Sequence, residues 1–210
     1  MIGITFGTKH SYDDFGLYLA DVSVTPPEPW RFEVEVPARN GILDLTPALT
    51  SKIRYKNRTI ALTFNTVGAC NYQQKLTEIC NAIHGQRLNV IFDSDPQYHW
   101  DAFVIVDQQS SSEALGTFNI TLNCYPYKLK NTPTVYTVTG NDTITCVNGR
   151  MEVTPEFTAT DSVTIIFGDI TQTESAGTFV INEIEFVEGN NSIQIQSTGT
   201  TTITYTEGEL

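Results

Sequence analysis

The chain has 210 residues, 40% hydrophobic and 10% aromatic, which is enough apolar material for one large or two small cores and excludes a disordered composition. Its longest apolar runs, such as FVIV at 103–106, are far short of the roughly 18 residues a bilayer-spanning helix needs. The net charge of −12 argues against duplex nucleic acid as the main partner, because counterion release requires a basic face. That charge is uneven. Residues 131–210 hold one basic residue, Arg150, and 11 acids, whereas residues 1–130 are close to neutral. Such asymmetry predicts two domains.

The amino terminus lacks a basic segment followed by an apolar one, so the expectation is a chain made and kept in the cytosol. Next comes HSYDDF at 10–15. As an enzyme site it would pair His10 as base with Asp13 or Asp14, and Ser11 as nucleophile. Adjacent residues on a strand point to opposite faces, however, and no G-x-S-x-G elbow is present. The simpler reading is a polar turn whose Asp side chains hold backbone N–H groups before the strand FGLYLADV.

RFEVEV (31–36) alternates strictly, with Phe32, Val34 and Val36 on one face. TIALTF (59–64) and TFNITLNC (117–124) do the same. Period two with one apolar face predicts half-buried antiparallel strands. KIRYKNR (52–58) would present Lys52, Arg54, Lys56 and Arg58 as one cationic strand face. In a nearly neutral domain that suits ion pairs or an interface better than nucleic acid.

NYQQKLTEICNAIHG (71–85) breaks the strand pattern. Leu76, Ile79, Cys80 and Ile83 form one helical stripe. Asn71 is placed to cap it, with Gln74 positioned for a capping box, and Gly85 suits the residue after its end. RLNVIF (87–92) then predicts a strand, and Asp95-Pro96 a tight turn to the next. In DSDPQYHWD (93–101) an EF-hand fails, because Tyr98 and Val104 stand where Gly and Glu are required. Asp93, Asp95 and His99 leave a looser metal site as an alternative. Tyr98 and Trp100 suit a strand-edge contact with a neighbouring chain, or a sugar platform.

YPYKLKNTPT (125–134) reads as a linker. Beyond it the chain is Thr-rich, with 19 threonines among the last 80 residues. Asn148-Gly149 predicts a type I′ hairpin, EGNN (188–191) a second hairpin, and the regular short strands a small β-sandwich. Cys70, Cys80, Cys124 and Cys146 show no C-x-x-C spacing and are expected to be free thiols. Four N-x-[ST] sequons, at Asn57, Asn119, Asn141 and Asn190, read as ordinary strand and turn residues. No phosphate, dinucleotide or metalloprotease motif occurs. The chemistry alone therefore reaches a two-domain, mainly β binding or assembly protein.

Five segments in order resemble a known family: FGTKHSYDDFGLYL, VPARNGILDLTPAL, YKNRTIALTF, IHGQRLNVIFDSDPQYHWDAFV and ALGTFNITLNCYPYKL. Together they are similar to the distal tail protein family of long-tailed, noncontractile bacteriophages and prophages. The resemblance covers about residues 1–130. It departs at Ala38-Arg39-Asn40-Gly41, where the family often has Gly-Arg-Asp-Gly, at Phe15, where Trp is common, and at the lighter acidic run Asp93-Ser94-Asp95.

The resemblance implies an α+β belt domain (1–130), one helix against antiparallel strands, and a small galectin-like or jelly-roll β-sandwich (131–210). It implies a structural virion protein of the tail tip, assembled in the host bacterial cytoplasm. Six copies would form a ring joining the major tail tube protein to the tail-tip or tail-associated lysin protein, with a receptor-binding protein as a further partner. Viral DNA would only pass through the channel, and acids facing it would help the DNA slide. No enzyme activity, cofactor or membrane insertion is expected. Candidate assembly-interface residues are Arg39, Asp44, Lys52, Arg54, Lys56, Arg58, Asp93, Asp95, Tyr98 and Trp100. The alternative function is a carbohydrate-binding adhesin acting through the sandwich.

Overall fold

The computed structural model describes residues 3–38, 40–49, 52–66, 71–107, 110–111 and 116–210. The fold is mainly β and antiparallel, in two compact units. One is built from the residues up to Pro96 plus Trp100–Pro126, the other from Gln97–His99 plus Tyr127–Leu210.

The first unit contains β1 (Ile4–Phe6), β2 (Lys9–His10), β3 (Leu17–Val24), β4 (Glu33–Glu35) and β5 (Ile42–Asp44). A one-turn helix α1 (Thr46–Leu49) follows, then β6 (Arg58–Thr66), the helix α2 (Tyr72–Ile83) and β7 (Arg87–Phe92). β8 (Tyr98–Val106, whose first two residues fall in the second unit), β9 (Ser110–Ser111) and β10 (Gly116–Cys124) complete it. The sheet runs β2-β1-β7-β8-β10-β6-β3. Ile60, Leu62 and Phe64 on β6 and Phe118, Ile120, Leu122 and Cys124 on β10 are buried at alternate positions, as their periodicity predicts. Helix α2 covers this face with Ile79 and Ile83, and Tyr72 stacks on Phe118 with ring centres 5.2 Å apart. Asn71 caps α2 by accepting from Gln74 N at 3.2 Å, and Gly85 takes φ +72° just past its end.

Two expectations for this unit are corrected. Residues 31–36 do not form a half-buried strand. β4 is three residues long, pairs only with β5, and is exposed throughout. Nor is 52–58 a cationic strand: its described part enters regular structure only at Arg58, which is buried as the first residue of β6.

The second unit contains β11 (Lys128–Lys130), β12 (Thr134–Thr139), β13 (Asp142–Asn148), β14 (Glu156–Ala159) and β15 (Val163–Phe167). β16 (Ile170–Glu174), β17 (Gly177–Val180), β18 (Gly189–Ser197), β19 (Thr200–Tyr205) and β20 (Gly208–Glu209) follow. Sheets β12-β19-β14-β17 and β13-β18-β15-β16 bring one face each to a shared core that includes Phe157, Ile165, Phe186, Ile193, Ile195, Ile203 and Tyr205. This is a β-sandwich. The expected linker itself contains a strand, since β11 pairs with β20 and with Tyr98 and His99.

Both hairpins expected here are absent. A type I′ turn needs positive φ at both central residues, and neither Asn148 nor Gly149 has it. β13 instead pairs with β18 over its whole length, from Asp142↔Ile195 to Asn148↔Gly189. EGNN likewise runs into β18. Asn191 holds the turn before it by accepting from Val187 N at 2.9 Å and donating to Val187 O at 2.8 Å and Gly189 O at 3.1 Å.

The start and end of the second unit are tied by Glu207, whose Oε1 accepts from Lys130 Nζ at 2.7 Å and from Thr134 Oγ1. Burial pushes the Glu207 carboxyl up, but the hydrogen bonds from Lys130 and Thr134 and the Lys130 charge outweigh it and hold it below its ordinary 4.5. A carboxyl depressed on folding adds stability that is present above the unfolded value and lost as pH falls through the folded one. Glu207→Gln is therefore expected to lower stability in urea titrations at neutral pH. The gap to the unsubstituted chain should narrow as pH falls below the ordinary carboxyl value of 4.5. A gap independent of pH would mean that the carboxylate charge contributes nothing.

Candidate assembly surface

The opening motif is a turn. Ser11 is fully buried and its Oγ accepts from Ile4 N at 3.1 Å. Asp14 accepts from His10 N at 2.7 Å and Lys9 Nζ at 2.9 Å, and these bonds, the first above all, hold its carboxyl below the usual range. His10 lies between two carboxylates, Asp13 at 3.0 Å and Asp93 at 3.3 Å, and Asp93 also accepts from Gly3 N at 2.7 Å. Every one of these groups is spent on closing the chain back on itself. His99 bonds Asn131 at 2.7 Å, and among the described residues no group of His, Cys, Asp and Glu is placed to hold a metal ion. Cys80, Cys124 and Cys146 are free thiols, while Cys70 lies outside the described residues. Burial pushes Cys124 up to about 12 and Cys146 to about 11, so neither is an activated nucleophile.

A different region keeps large apolar side chains at the surface. The β3–β6 ladder runs from Leu17↔Thr66 to Val24↔Ile60. It continues as a thinner ribbon: Thr25 N donates to Thr59 O, Lys56 N to Glu28 O and Trp30 N to Arg54 O, at 2.8–3.1 Å. Pro26, Pro27 and Pro29 lack the N–H a ladder requires, so only an isolated bridge, Pro29↔Tyr55, interrupts the irregular chain. The ribbon leads to the β4–β5 hairpin and α1. Asp44 Oδ1 accepts from Thr46 N at 2.9 Å and fastens the start of α1, and its bonds to the Thr46 side chain and backbone hold its carboxyl low.

From Tyr18 to Asn57 no described residue is buried. Yet the hairpin keeps its alternation. Phe32, Val34 and Val36 share one face with Leu43, which pairs with Val34, and Phe32 O accepts from Leu45 N at 2.7 Å. Phe32, Val34 and Val36 remain 42%, 45% and 39% exposed. Trp30, Ile42, Leu49 and Ile53 nearby are about half exposed or more. Ile42 pairs with Glu35 and so lies on the other face of the hairpin from Val34.

The ten residues singled out from sequence are distributed unevenly. Asp44, Lys52, Arg54 and Lys56 lie on this arm, and Arg39 lies outside the described residues. Lys56 pairs with Glu28 at 3.1 Å and covers Trp30 at 5.3 Å. Arg58 does not belong to the surface: its Nε donates to Thr25 O and an Nη to Pro126 O, and its guanidinium lies 4.9 Å over Trp100, so burial pushes its pKa down. Trp100 is therefore covered from within the chain. Tyr98 is too, donating to Glu209 at 2.8 Å under Lys128 at 4.2 Å. Asp93 is bonded to Gly3 and His10, and in the turn between β7 and β8 Asp95 N donates to Phe92 O at 2.9 Å. The charged residues drew attention in the sequence; exposed apolar residues stand beside them. The available signal was an alternating segment flanked by three prolines.

No family model matches the chain, and no curated protein matches it. Among solved structures it is similar to the crystal structure of the SPP1 Dit (gp 19.1) protein, described as a paradigm of the hub adsorption apparatus in phages infecting Gram-positive hosts. The TM-score is 0.74 at 10% identity, covering 100% of both chains. The chain has a Dit-like fold.

Ala38 is the one described non-glycine residue with positive φ, at 65°. This is the left-handed region, which favours glycine. Because Phe32 and Val34 lie at the surface, outside either core, Phe32→Ser and Val34→Ser are expected to change unfolding stability by less than about 0.5 kcal/mol. Phe64→Ala in the core should cost about 3–5 kcal/mol. Denaturant titration of the purified chain distinguishes the two.

Proposed function

We propose that this chain is a structural virion protein, the distal hub of a noncontractile phage tail. Six copies close into a ring that joins the tail tube protein to the tail-tip protein and gives receptor-binding proteins an attachment point. DNA passes through the ring and is not bound. The tail tip is the place of action and the host cytoplasm the place of assembly. No helix among the described residues is long and apolar enough to cross a membrane.

The observation that carries this reading is the uncovered face of the β4–β5 hairpin. It belongs to a chain whose two units each have a complete core and whose whole length follows a Dit-like fold. A heterologous interface that closes a ring sets one surface of each copy against a different surface of the next. In this reading Phe32, Val34 and Val36 are the apolar centre of that contact. Asp44, Lys52, Arg54 and Lys56 form its charged rim, which sets register more than affinity.

Electron microscopy of the protein purified with its neighbouring tail proteins tests this. Sixfold rings are expected, and the triple substitution Phe32→Ser, Val34→Ser, Val36→Ser should abolish them while the subunit keeps its far-UV circular dichroism. Rings formed equally well by the triple variant, or no ring in any mixture, would overturn the reading.

A further inference from the structure

Asn-Gly occurs twice in the chain, at Asn40-Gly41 and at Asn148-Gly149. A glycine after an asparagine has no Cβ to keep its backbone nitrogen away from the carboxamide carbon of the side chain before it. The fold sets the two pairs in opposite surroundings.

Asn40 is exposed and lies in the loop 36–41 between β4 and β5. Its side chain bonds no other described residue, and neither does the N–H of Gly41. Gly41 takes φ +80°, and a Cβ added there would meet no described atom within 4 Å. It borders an open hollow with Glu35, Val36, Pro37 and Ile42, which water can enter. Asn148, by contrast, is 3% exposed, and its Nδ2 donates to Met151 O at 2.7 Å and to Phe186 O at 3.1 Å. A Cβ on Gly149 would come within 3.3 Å of Gly208 O and 3.6 Å of Glu207 Oε2. The Asn148 carboxamide, pinned in this crowded place, reaches the nitrogen of Gly149 only through local opening.

We propose that Asn40 is a site of spontaneous deamidation and that Asn148 is shielded from the same reaction. The Gly41 nitrogen gives its proton to hydroxide and attacks Asn40 Cγ. A bond forms between that nitrogen and Cγ, the bond from Cγ to Nδ2 breaks, and ammonia leaves with a proton taken from water, which returns the hydroxide. Water then adds to one of the two carbonyls of the cyclic imide. Opening at Cγ restores the ordinary main chain and gives aspartate. Opening at the main-chain carbonyl gives isoaspartate, whose chain runs through Cγ. Nothing is oxidised or reduced. Either product adds a carboxylate to a hairpin that already carries Glu33, Glu35 and Asp44, and isoaspartate also lengthens the main chain inside the loop. The reaction does not depend on ring formation.

The test incubates the full chain, unassembled, at neutral and at mildly alkaline pH. Peptide mass spectrometry follows both asparagines, and isoaspartate is read as methyl transfer from labelled S-adenosylmethionine by protein isoaspartyl methyltransferase. The Asn40 peptide is expected to convert at least about tenfold faster than the Asn148 peptide, and faster at the higher pH. In urea, where the fold no longer shields Asn148, the two should convert at similar rates. Asn40→Gln, whose longer side chain closes a ring far more slowly, should lose the methyl incorporation. Asn40 is exposed and outside both cores, so this variant is expected to fold. Asn148 converting as fast as Asn40 in the folded chain, Asn40 staying intact there while it converts in urea, or methyl incorporation that survives Asn40→Gln would overturn the proposal. Absence of rings under the microscope would overturn the proposed hub and leave this reaction standing, and an intact Asn40 would do the reverse.

Discussion

A β-ribbon with one apolar face has to lay that face against something, since each Å² left in water forgoes about 25 cal/mol. In the first unit β6 meets this constraint: Ile60, Leu62 and Phe64 are fully buried in the core that α2 covers. Beyond Arg58 the same pair of chain segments continues without a cover. The prolines thin the ladder, burial ends, and the hairpin beyond still alternates as though a core were present. The resulting contrast between a satisfied and an unsatisfied half of one ribbon is what the proposed ring contact rests on.

Much of the fold was legible in the sequence because its signals are local. The stripe of α2, its Asn71 cap and Gly85 all depend on residues within one or two turns. The alternation of β6 and β10 is equally local, and burial confirmed it residue by residue. The errors came where a non-local pairing overrides a local signal. Asn148-Gly149 reads as a hairpin only if the next segment returns beside β13; β18, some forty residues later, takes that place instead. Phe32, Val34 and Val36 were correctly placed on one face, but a pattern reports which face is apolar, not which chain covers it. Arg58 was grouped by charge with Lys52, Arg54 and Lys56. Its burial under carbonyl acceptors and against Trp100 removes it from the surface.

The two units separate their roles by surface chemistry. The first carries nine of the twelve cations and an apolar arm, the materials of a protein–protein contact. The second is acidic overall, yet the outward faces of its strands are largely threonine, serine and amide side chains. HSYDDF, the most enzyme-like string in the chain, contributes to neither role. His10, Asp14 and Asp93 hold the first turn against the start of β1.

Amide hydrogen exchange over residues 31–36 and 42–44, in the isolated chain and in the assembled tail hub, tests the central claim directly. The account predicts fast exchange in the isolated chain, with α2 and β6 protected, and slowing of the arm by at least about tenfold on assembly, equivalent to roughly 1.4 kcal/mol of local protection. Arm exchange that stays fast in the assembly would contradict it, as would an arm already protected in the monomer.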